Sequence, residues 1–290
     1  MNEVVIKDGF DTARLVASYR AVESERPGAL IHDPYARQLA GERGAELMRT
    51  YPRAKEEVWA VALRTRIYDD ILLRKIEQSQ IDTVINLAAG LDARPYRLEL
   101  PASLRWIEVD IPALLQYKAE QLANEQPICV LERVPLDITD HKARQTFLAD
   151  VSTQAKHVLI LTEGLLVYLT TEQVVAIAKD LHEQSSMCWW LTELAAPRAL
   201  KKDQESWNKV AAEKAQLQFA PGQSATFFQQ YGWNISEFHP VIEAALRLNA
   251  PIPFRWLFRL LTRIAPTQPI AGVPQTGFVL MERATSSTEN

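Results

Sequence analysis

Residues Thr83 to Asp110 read TVINLAAGLDARPYRLELPASLRWIEVD. Val84-Ile85-Asn86-Leu87 is an apolar, β-prone run too short for a helix and flanked by turn formers. It ends in Ala88-Ala89-Gly90, small residues that let a backbone pass close to a ligand. Asp92 and Arg94 follow at once. A second β-prone run, Trp106-Ile107-Glu108-Val109, ends in the carboxylate of Asp110. Strand, small-residue turn, connection and strand with a terminal acid make up half of a nucleotide-binding α/β unit. Ligands of an open parallel sheet sit at the carboxyl ends of its strands. An acid about 20 residues past the glycine turn suits a ribose diol, and Asp110 stands 20 positions after Gly90. The turn is not G-x-G-x-x-G, which argues against a dinucleotide pyrophosphate on the helix start. A nucleoside without phosphates needs less of that cradle.

The chain has 290 residues, enough for a substantial core. Hydrophobic residues make up 47% and charged residues 23%, as in ordinary globular domains. A net charge of -4 gives no electrostatic reason to expect nucleic acid as a partner. Cys129 and Cys188 belong to no C-x-x-C pair, lie among apolar residues and read as buried bystanders in a reducing compartment. No signal peptide and no apolar run of about 20 residues is evident, so a cytoplasmic protein without a membrane span is expected. Five scattered histidines show no metal-ligand spacing, and no metal site is expected.

Outward from the central unit, residues 1–80 read as a helical cover. Leu15, Val16, Tyr19 and Val22 share one face of a helix over 11–25, which Pro27-Gly28 ends. Pro34 suits the start of a second helix. Val58, Val61, Thr65, Tyr68, Leu72 and Ile76 mark a long amphipathic helix over 55–78. Arg64 and Arg66 lie within it, as residues of a solvated face or of a site. Pro112 opens a helix, and Ile128–Leu131 reads as a third strand. Asp137-Ile138 follows, either an acid and an aliphatic bracketing a flat base or a loop aspartate capping the next helix. His157–Thr162 is a near-continuous apolar run, expected as a central strand buried on both faces. Its end carries Glu163-Gly164, a carboxylate aimed at the ligand crevice. Thr170-Thr171-Glu172-Gln173 is a capping box. Met187–Leu194 is a fifth strand, with Trp189 and Trp190 read as core. Residues 198–230 break the alternation as an insertion beside the site. Residues 233–238 and 277–282 read as the last strands around a helix over 241–248. Residues 251–269 read as an irregular surface segment and 284–290 as a frayed tail.

The expectation is a single α/β domain: a doubly wound, mostly parallel, seven-stranded Rossmann-like sheet. Its parts are the cover (1–80), a ligand-binding core (81–197), a lid insertion (198–230) and C-terminal strands with a helix (231–290).

These residues carry a resemblance. The chain resembles the class I S-adenosylmethionine-dependent methyltransferases of the leucine carboxyl methyltransferase family, in particular its bacterial branch of polyketide O-methyltransferases. The matching segments are Tyr19–Ser24 with His32–Ala36, Arg64-Thr65-Arg66, Asn86–Arg94 with Tyr96-Arg97-Leu98, Glu108–Pro112, and Thr162–Leu169. They span about residues 11 to 195; the C-terminal third is similar only in layout. The resemblance implies S-adenosyl-L-methionine as cofactor. It implies Arg66 on the methionine carboxylate with Arg20 as a second contact, Gly90 facing the methionyl part, and Asp110 on the ribose hydroxyls. Asp137 and Ile138 would bind adenine, and Glu163 would lie near the methionyl amine. Ala88 stands where many relatives have glycine, which a negative φ would tolerate.

The implied reaction is in-line displacement at a sulfonium methyl, in which the enzyme mainly aligns nucleophile and methyl. The expected acceptor is a small organic molecule, hydrophobic or aromatic, walled by residues 1–60 and 198–230. No residue is assigned to the chemistry, and the sequence does not give the oligomeric state. Without a His–acid base pair, a carboxylate acceptor, ionised at neutral pH, is favoured over a phenol. Two other classes stay open: a NAD-type oxidoreductase on a related sheet, and a non-catalytic protein that binds the cofactor.

Overall fold

A computed structural model describes residues 6–222, 224–250 and 275–284. The whole segment 251–269 expected as irregular surface, and the expected tail 284–290 beyond its first residue, lie outside the described residues. Among the described residues one sheet holds seven strands: β1 (Thr83–Leu87), β2 (Arg105–Asp110), β3 (Val130–Pro135), β4 (Val158–Thr162), β5 (Met187–Leu194), β6 (Trp233–Pro240) and β7 (Gly277–Arg283). Their order is β3-β2-β1-β4-β5-β7-β6. β1 to β5 pair in parallel, and β7 runs antiparallel between β5 and β6. The order reverses between β1 and β4, so a crevice opens beyond their carboxyl ends. The sheet is doubly wound and mostly parallel, the architecture of class I methyltransferases.

Every residue of β1 and β4 is buried, which is why both read as unbroken apolar runs. On one face lie α6 (His141–Gln154) and α7 (Thr171–Glu183), and Leu148, Val151, Ile177 and Leu181 pack with Ile85, Ile107 and Ile160. On the other, α3 (Ala54–Gln78) packs Ile67, Ile71 and Leu72 with Val84, Leu159 and Leu191. The Thr170–Gln173 capping box forms as expected. Trp190 is fully buried, and its Nε1–H donates to Thr162 Oγ1 at 2.9 Å. α1 (Gly9–Ser24) and α2 (Ala36–Thr50) pack together outside α3.

Three local readings change. The third strand begins at Val130, not Ile128, and continues through Glu132 and Arg133 to Pro135. As an edge strand it has half-exposed residues throughout, and Ile128 and Val130 are themselves exposed. The apolar run therefore marked the strand's entrance and not its extent. Cys188 is only half-buried; Cys129 is buried, and burial pushes its thiol up to about 11.

Ala88 is the third. It directly follows β1 and has φ +54°, so the condition under which its methyl would be tolerated is not met. An L-residue in the left-handed region costs roughly 1 to 2 kcal/mol. Ala88→Gly is therefore expected to stabilise the protein by about 1 kcal/mol, read as a higher urea midpoint at unchanged slope. A lower midpoint would show that the methyl's packing outweighs the backbone strain.

Candidate active site

A cavity of about 610 Å³ opens at the carboxyl ends of β1, β2 and β4. Five carboxylates (Asp8, Asp92, Asp110, Asp137, Glu163) and three guanidiniums (Arg20, Arg64, Arg94) line it. Gly90 lies on its wall with φ +52°, a backbone form open to glycine at little cost. The Gly90 N–H donates to Asp110 Oδ2 at 2.8 Å, and the Ile111 N–H donates to Oδ1 at 2.7 Å. Strand end and glycine turn thus hold the Asp110 carboxylate from both sides. Each oxygen keeps a lone pair for a further donor. Burial raises the Asp110 carboxyl above its usual range, against the two backbone hydrogen bonds.

Arg94 stands at the back of the cavity, 2% exposed. Its Nε donates to Asp69 Oδ1 at 2.6 Å, and its Nη1 lies 2.8 Å from Asp92 Oδ2 and 2.7 Å from Glu163 Oε2. Its Nη2 is buried without a hydrogen bond, as is Thr65 Oγ1 on the cavity wall. Asp92 also accepts from Asn86 Nδ2 at 2.8 Å. Burial alone would raise Asp92, but Arg94, with Lys118, Arg97 and Arg20 behind it, holds it well below the carboxylate range. Glu163 is lowered in the same way, by Arg94 and Arg64 against burial. The Arg64 Nε donates to Glu163 Oε1 at 2.8 Å. Arg20, on α1, donates to Asp33 Oδ2 at 2.8 Å and to the Leu91 carbonyl at 2.6 Å.

Of the expected site residues, Arg20, Gly90, Asp110, Asp137 and Glu163 line this one cavity. Asp137 does not cap α6. Its Oδ1 accepts from the Thr139 N–H at 2.9 Å, while Asp140 caps the helix. Ile138 is not on the cavity wall. It is 7% exposed and packed in the core with Leu148 and Ile160, because the turn at Asp137 sends consecutive side chains to opposite sides.

Arg66 does not reach the cavity either. It is exposed, its Nε donating to Asp70 Oδ1 at 2.8 Å and its Nη1 to the Leu30 carbonyl at 3.4 Å. Helical residues two positions apart differ by about 200° in direction, so Arg64 and Arg66 cannot share a face. Arg64 takes the inward one. The apolar stripe of α3 held that signal, since Arg64 is three residues after Val61 and four before Tyr68. Arg94 was visible beside the turn, but its role depends on Asp69 and Glu163, which are distant in sequence.

A second cavity, about 830 Å³, adjoins the first, and Arg64 and Tyr168 line both. Its walls include Tyr51, Trp59 and Val61 from one side and Lys202, Trp207 and Phe219 from the connection between β5 and β6. Glu193, at the end of β5, lines only this second cavity. It went unnoticed in the sequence because Met187–Leu194 read as a strand whose tryptophans belong to the core. Among the described residues no group of His, Cys, Asp and Glu could hold a metal ion, and no helix is long and apolar enough to cross a membrane.

The fold is that of the class I methyltransferases, with an acid-rich cavity at the switch point of the sheet. The chain belongs to the leucine carboxyl methyltransferase family: the family model matches residues 13–182. A Parafrankia sp. (strain EAN1pec) relative, named as an S-adenosyl-L-methionine-dependent methyltransferase, is 32% identical over 266 residues, covering 83% of this chain and 82% of its own. Two solved structures share the fold with a TM-score of 0.56: a DUF574 family protein from Streptomyces avermitilis and a methyltransferase from Thermobifida fusca YX. The first is 12% identical and covers 94% of this chain and 97% of its own; the second is 15% identical and covers 94% of each. The enzyme is an S-adenosylmethionine-dependent methyltransferase.

Two predictions follow from the charge cluster. Arg94→Ala leaves buried carboxylates uncompensated and should cost about 3 to 5 kcal/mol of stability, whereas Arg66→Ala, breaking an exposed pair, should cost under about 1 kcal/mol. Urea denaturation of both variants checks this, and equal losses would contradict the ranking. The second is a pH dependence. Asp92 and Glu163 have lowered folded pKa values, so their stabilisation is complete above the usual carboxylate range near about 4 and is lost as pH falls through the folded values. Asp92→Asn should flatten the acid limb of the stability curve relative to wild type; a parallel acid limb would remove Asp92 from that account.

Proposed function

We propose that the enzyme is an O-methyltransferase: it transfers the methyl group of S-adenosylmethionine to an oxygen of a small organic acceptor held in the second cavity. The observation that carries this reading is the contact between the two cavities. Arg64 and Tyr168 line both, so a donor in one would meet an acceptor in the other there. Displacement at a methyl needs alignment of the two partners above all.

The residues fit the cofactor. Asp110 would take the ribose hydroxyls on its remaining lone pairs. Asp137 would face the exocyclic amine of adenine, and Glu163 the methionyl ammonium. The guanidiniums of Arg20, Arg64 and Arg94 surround the place for the methionyl carboxylate, and planar donor forks suit that group. The unbonded Arg94 Nη2 and Thr65 Oγ1 are spare polar atoms of the same wall. The excess of carboxylates over guanidiniums suits a ligand with a sulfonium and an ammonium against one carboxylate. When bound, the cofactor supplies an electrophilic methyl on sulfur. In this reading the connection between β5 and β6 acts as a lid, since its Ala215 lines the cofactor cavity and its Trp207 and Phe219 the acceptor cavity.

S-adenosylhomocysteine should raise the melting temperature by mass action while NAD does not. Asp110→Asn keeps the size of the side chain but loses its charge. It should weaken S-adenosylhomocysteine binding by about 1.5 to 3 kcal/mol in calorimetry, the range for a hydrogen bond to a charged group; the amide can accept from only one of the Gly90 and Ile111 N–H groups, so the melting temperature should fall as well and binding is compared where both proteins are folded. Wild-type affinity in this variant would remove Asp110 from the ribose site. Stabilisation by NAD and not by S-adenosylhomocysteine would favour an oxidoreductase.

A further inference from the structure

The second cavity runs along α3 and carries charge far from the junction. Arg64 lines its inner end, shared with the first cavity, and Arg53 lines it from the start of the helix. The two stand about three turns, or roughly 16 Å, apart along the helix axis. Trp59 lies between them on α3, and Trp207, Phe219 and Phe278 line the same cavity from other elements. Its body is therefore aromatic. Lys55, Glu56, Lys202 and Asp203 also line it and are exposed, which puts them at its mouth.

The acids of this mouth are already engaged. Arg53 lies 3.7 Å from Glu56, 3.9 Å from Glu57 and 3.6 Å from Asp203, and it donates to Ser206 Oγ at 2.7 Å. Glu57 also accepts from the Tyr51 hydroxyl at 2.9 Å. The lysines differ. Among the described residues neither Lys55 nor Lys202 has a hydrogen bond or an ion pair, and Lys202 acts on its neighbour Asp203 only at longer range. Lys55 belongs to α3, and Lys202 to the helix Pro197–Trp207 in the connection between β5 and β6. An anion at the mouth would thus be met by one ammonium from each wall, each with three donors. The three cations and three carboxylates here balance, so net charge does not select the ligand. The unengaged groups do: a cationic ligand would compete with Arg53 for its acceptors, whereas an anion has no competitor for the lysines.

We propose, resting on the reading of the second cavity as the acceptor's, that the acceptor is an elongated molecule with an aromatic body and two polar ends. The oxygen to be methylated lies at Arg64 and Tyr168, and a second, anionic group is held at the mouth by Lys55 and Lys202. A carboxylate suits the inner end as well, since Arg64 is a cation beside it. Lys55 and Lys202 are specificity-determining residues in this arrangement, remote from the reacting atoms. Their grip fixes which end of the acceptor enters first and lays it along α3, and orientation is what displacement at a methyl requires. It also draws the helix Pro197–Trp207 toward α3, so that the wall bearing Trp207 closes on the acceptor it recognises.

The test uses three symmetric biphenyls that differ only at their ends: the 4,4′-dicarboxylate, the 4,4′-diol, neutral at pH 7, and the 4,4′-bis(aminomethyl) compound. Calorimetry is done on protein saturated with S-adenosylhomocysteine. The dicarboxylate should bind tightest of the three. The double variant Lys55→Gln, Lys202→Gln should lower its affinity by about tenfold, as two exposed charge pairs would, and leave the affinities for the diol and for S-adenosylhomocysteine unchanged. Lys55→Arg, Lys202→Arg should keep the wild-type affinity, and high salt should remove the difference between wild type and the Gln variant. Undiminished dicarboxylate binding in the Gln variant, an equal loss for the diol, or tighter binding of the bis(aminomethyl) compound would each overturn the proposal and leave the cavity's reading as the acceptor site standing. If none of the three bound at about 1 mM, that reading would fall together with the proposal. Failure of the wild type to bind S-adenosylhomocysteine would overturn the cofactor reading and both inferences that rest on it.

Discussion

The buried guanidinium of Arg94 is the constraint on which the ligand-facing end of the molecule depends. It joins three pieces of chain that are distant in sequence: Asp69 on α3, Asp92 in the turn after β1, and Glu163 beyond β4. Arg97 adds a second guanidinium to Asp69, at 2.7 Å. A buried charge is tolerable only when paired and hydrogen-bonded, and here the pairing fixes where the turn, the helix and the strand end stand relative to one another. Two of these carboxylates, Asp92 and Glu163, then face the cavity. The interactions that place the site are therefore also its electrostatic lining, and the field that suits a cationic ligand is built from groups the fold already needs.

A second buried cluster plays the corresponding part under β2. Lys118 and Glu108 are fully buried and 2.6 Å apart, with Arg133 at 3.0 Å from the other Glu108 oxygen. This ties α5 (Pro112–Gln121) and β3 to β2 just before Asp110. The Asp110 carboxylate is thus presented from a strand anchored on its far side, and held at its tip by the backbone of Gly90 and Ile111. Preorganisation of this kind leaves little rearrangement for binding to drive.

What could be read in the sequence follows from how local the controlling interaction is. Strands β1 and β4 are buried on both faces and announce themselves as apolar runs; the Thr170 capping box is written in four residues. Edge strand β3 is not, since Glu132 and Arg133 answer to Arg105 and Glu108 and not to a core. Asp110 was legible because strand end and glycine turn are neighbours in one unit. Arg66 was misplaced because a motif gives residues without their direction, whereas the helical period separates it from Arg64. Ile138 was misplaced for the same reason in a turn. Ala88 shows the reverse case, in which the residue was noticed but its φ could not be known from sequence. Glu193 escaped notice because its partners, Tyr68, Gly164 and Arg64, come from α3 and from the end of β4.

In the proposed reading, the cavity at the ends of β1, β2 and β4 holds the methyl donor with its amino-acid end toward the junction at Arg64 and Tyr168. The direct measurement is a crystal structure of the enzyme grown with S-adenosylhomocysteine. Ribose hydroxyls on the Asp110 carboxylate, adenine beside Asp137, and the thioether sulfur open to the second cavity are expected. Electron density for the ligand outside this cavity, or with its ribose away from Asp110 or its carboxylate on the exposed face at Arg66, would contradict it.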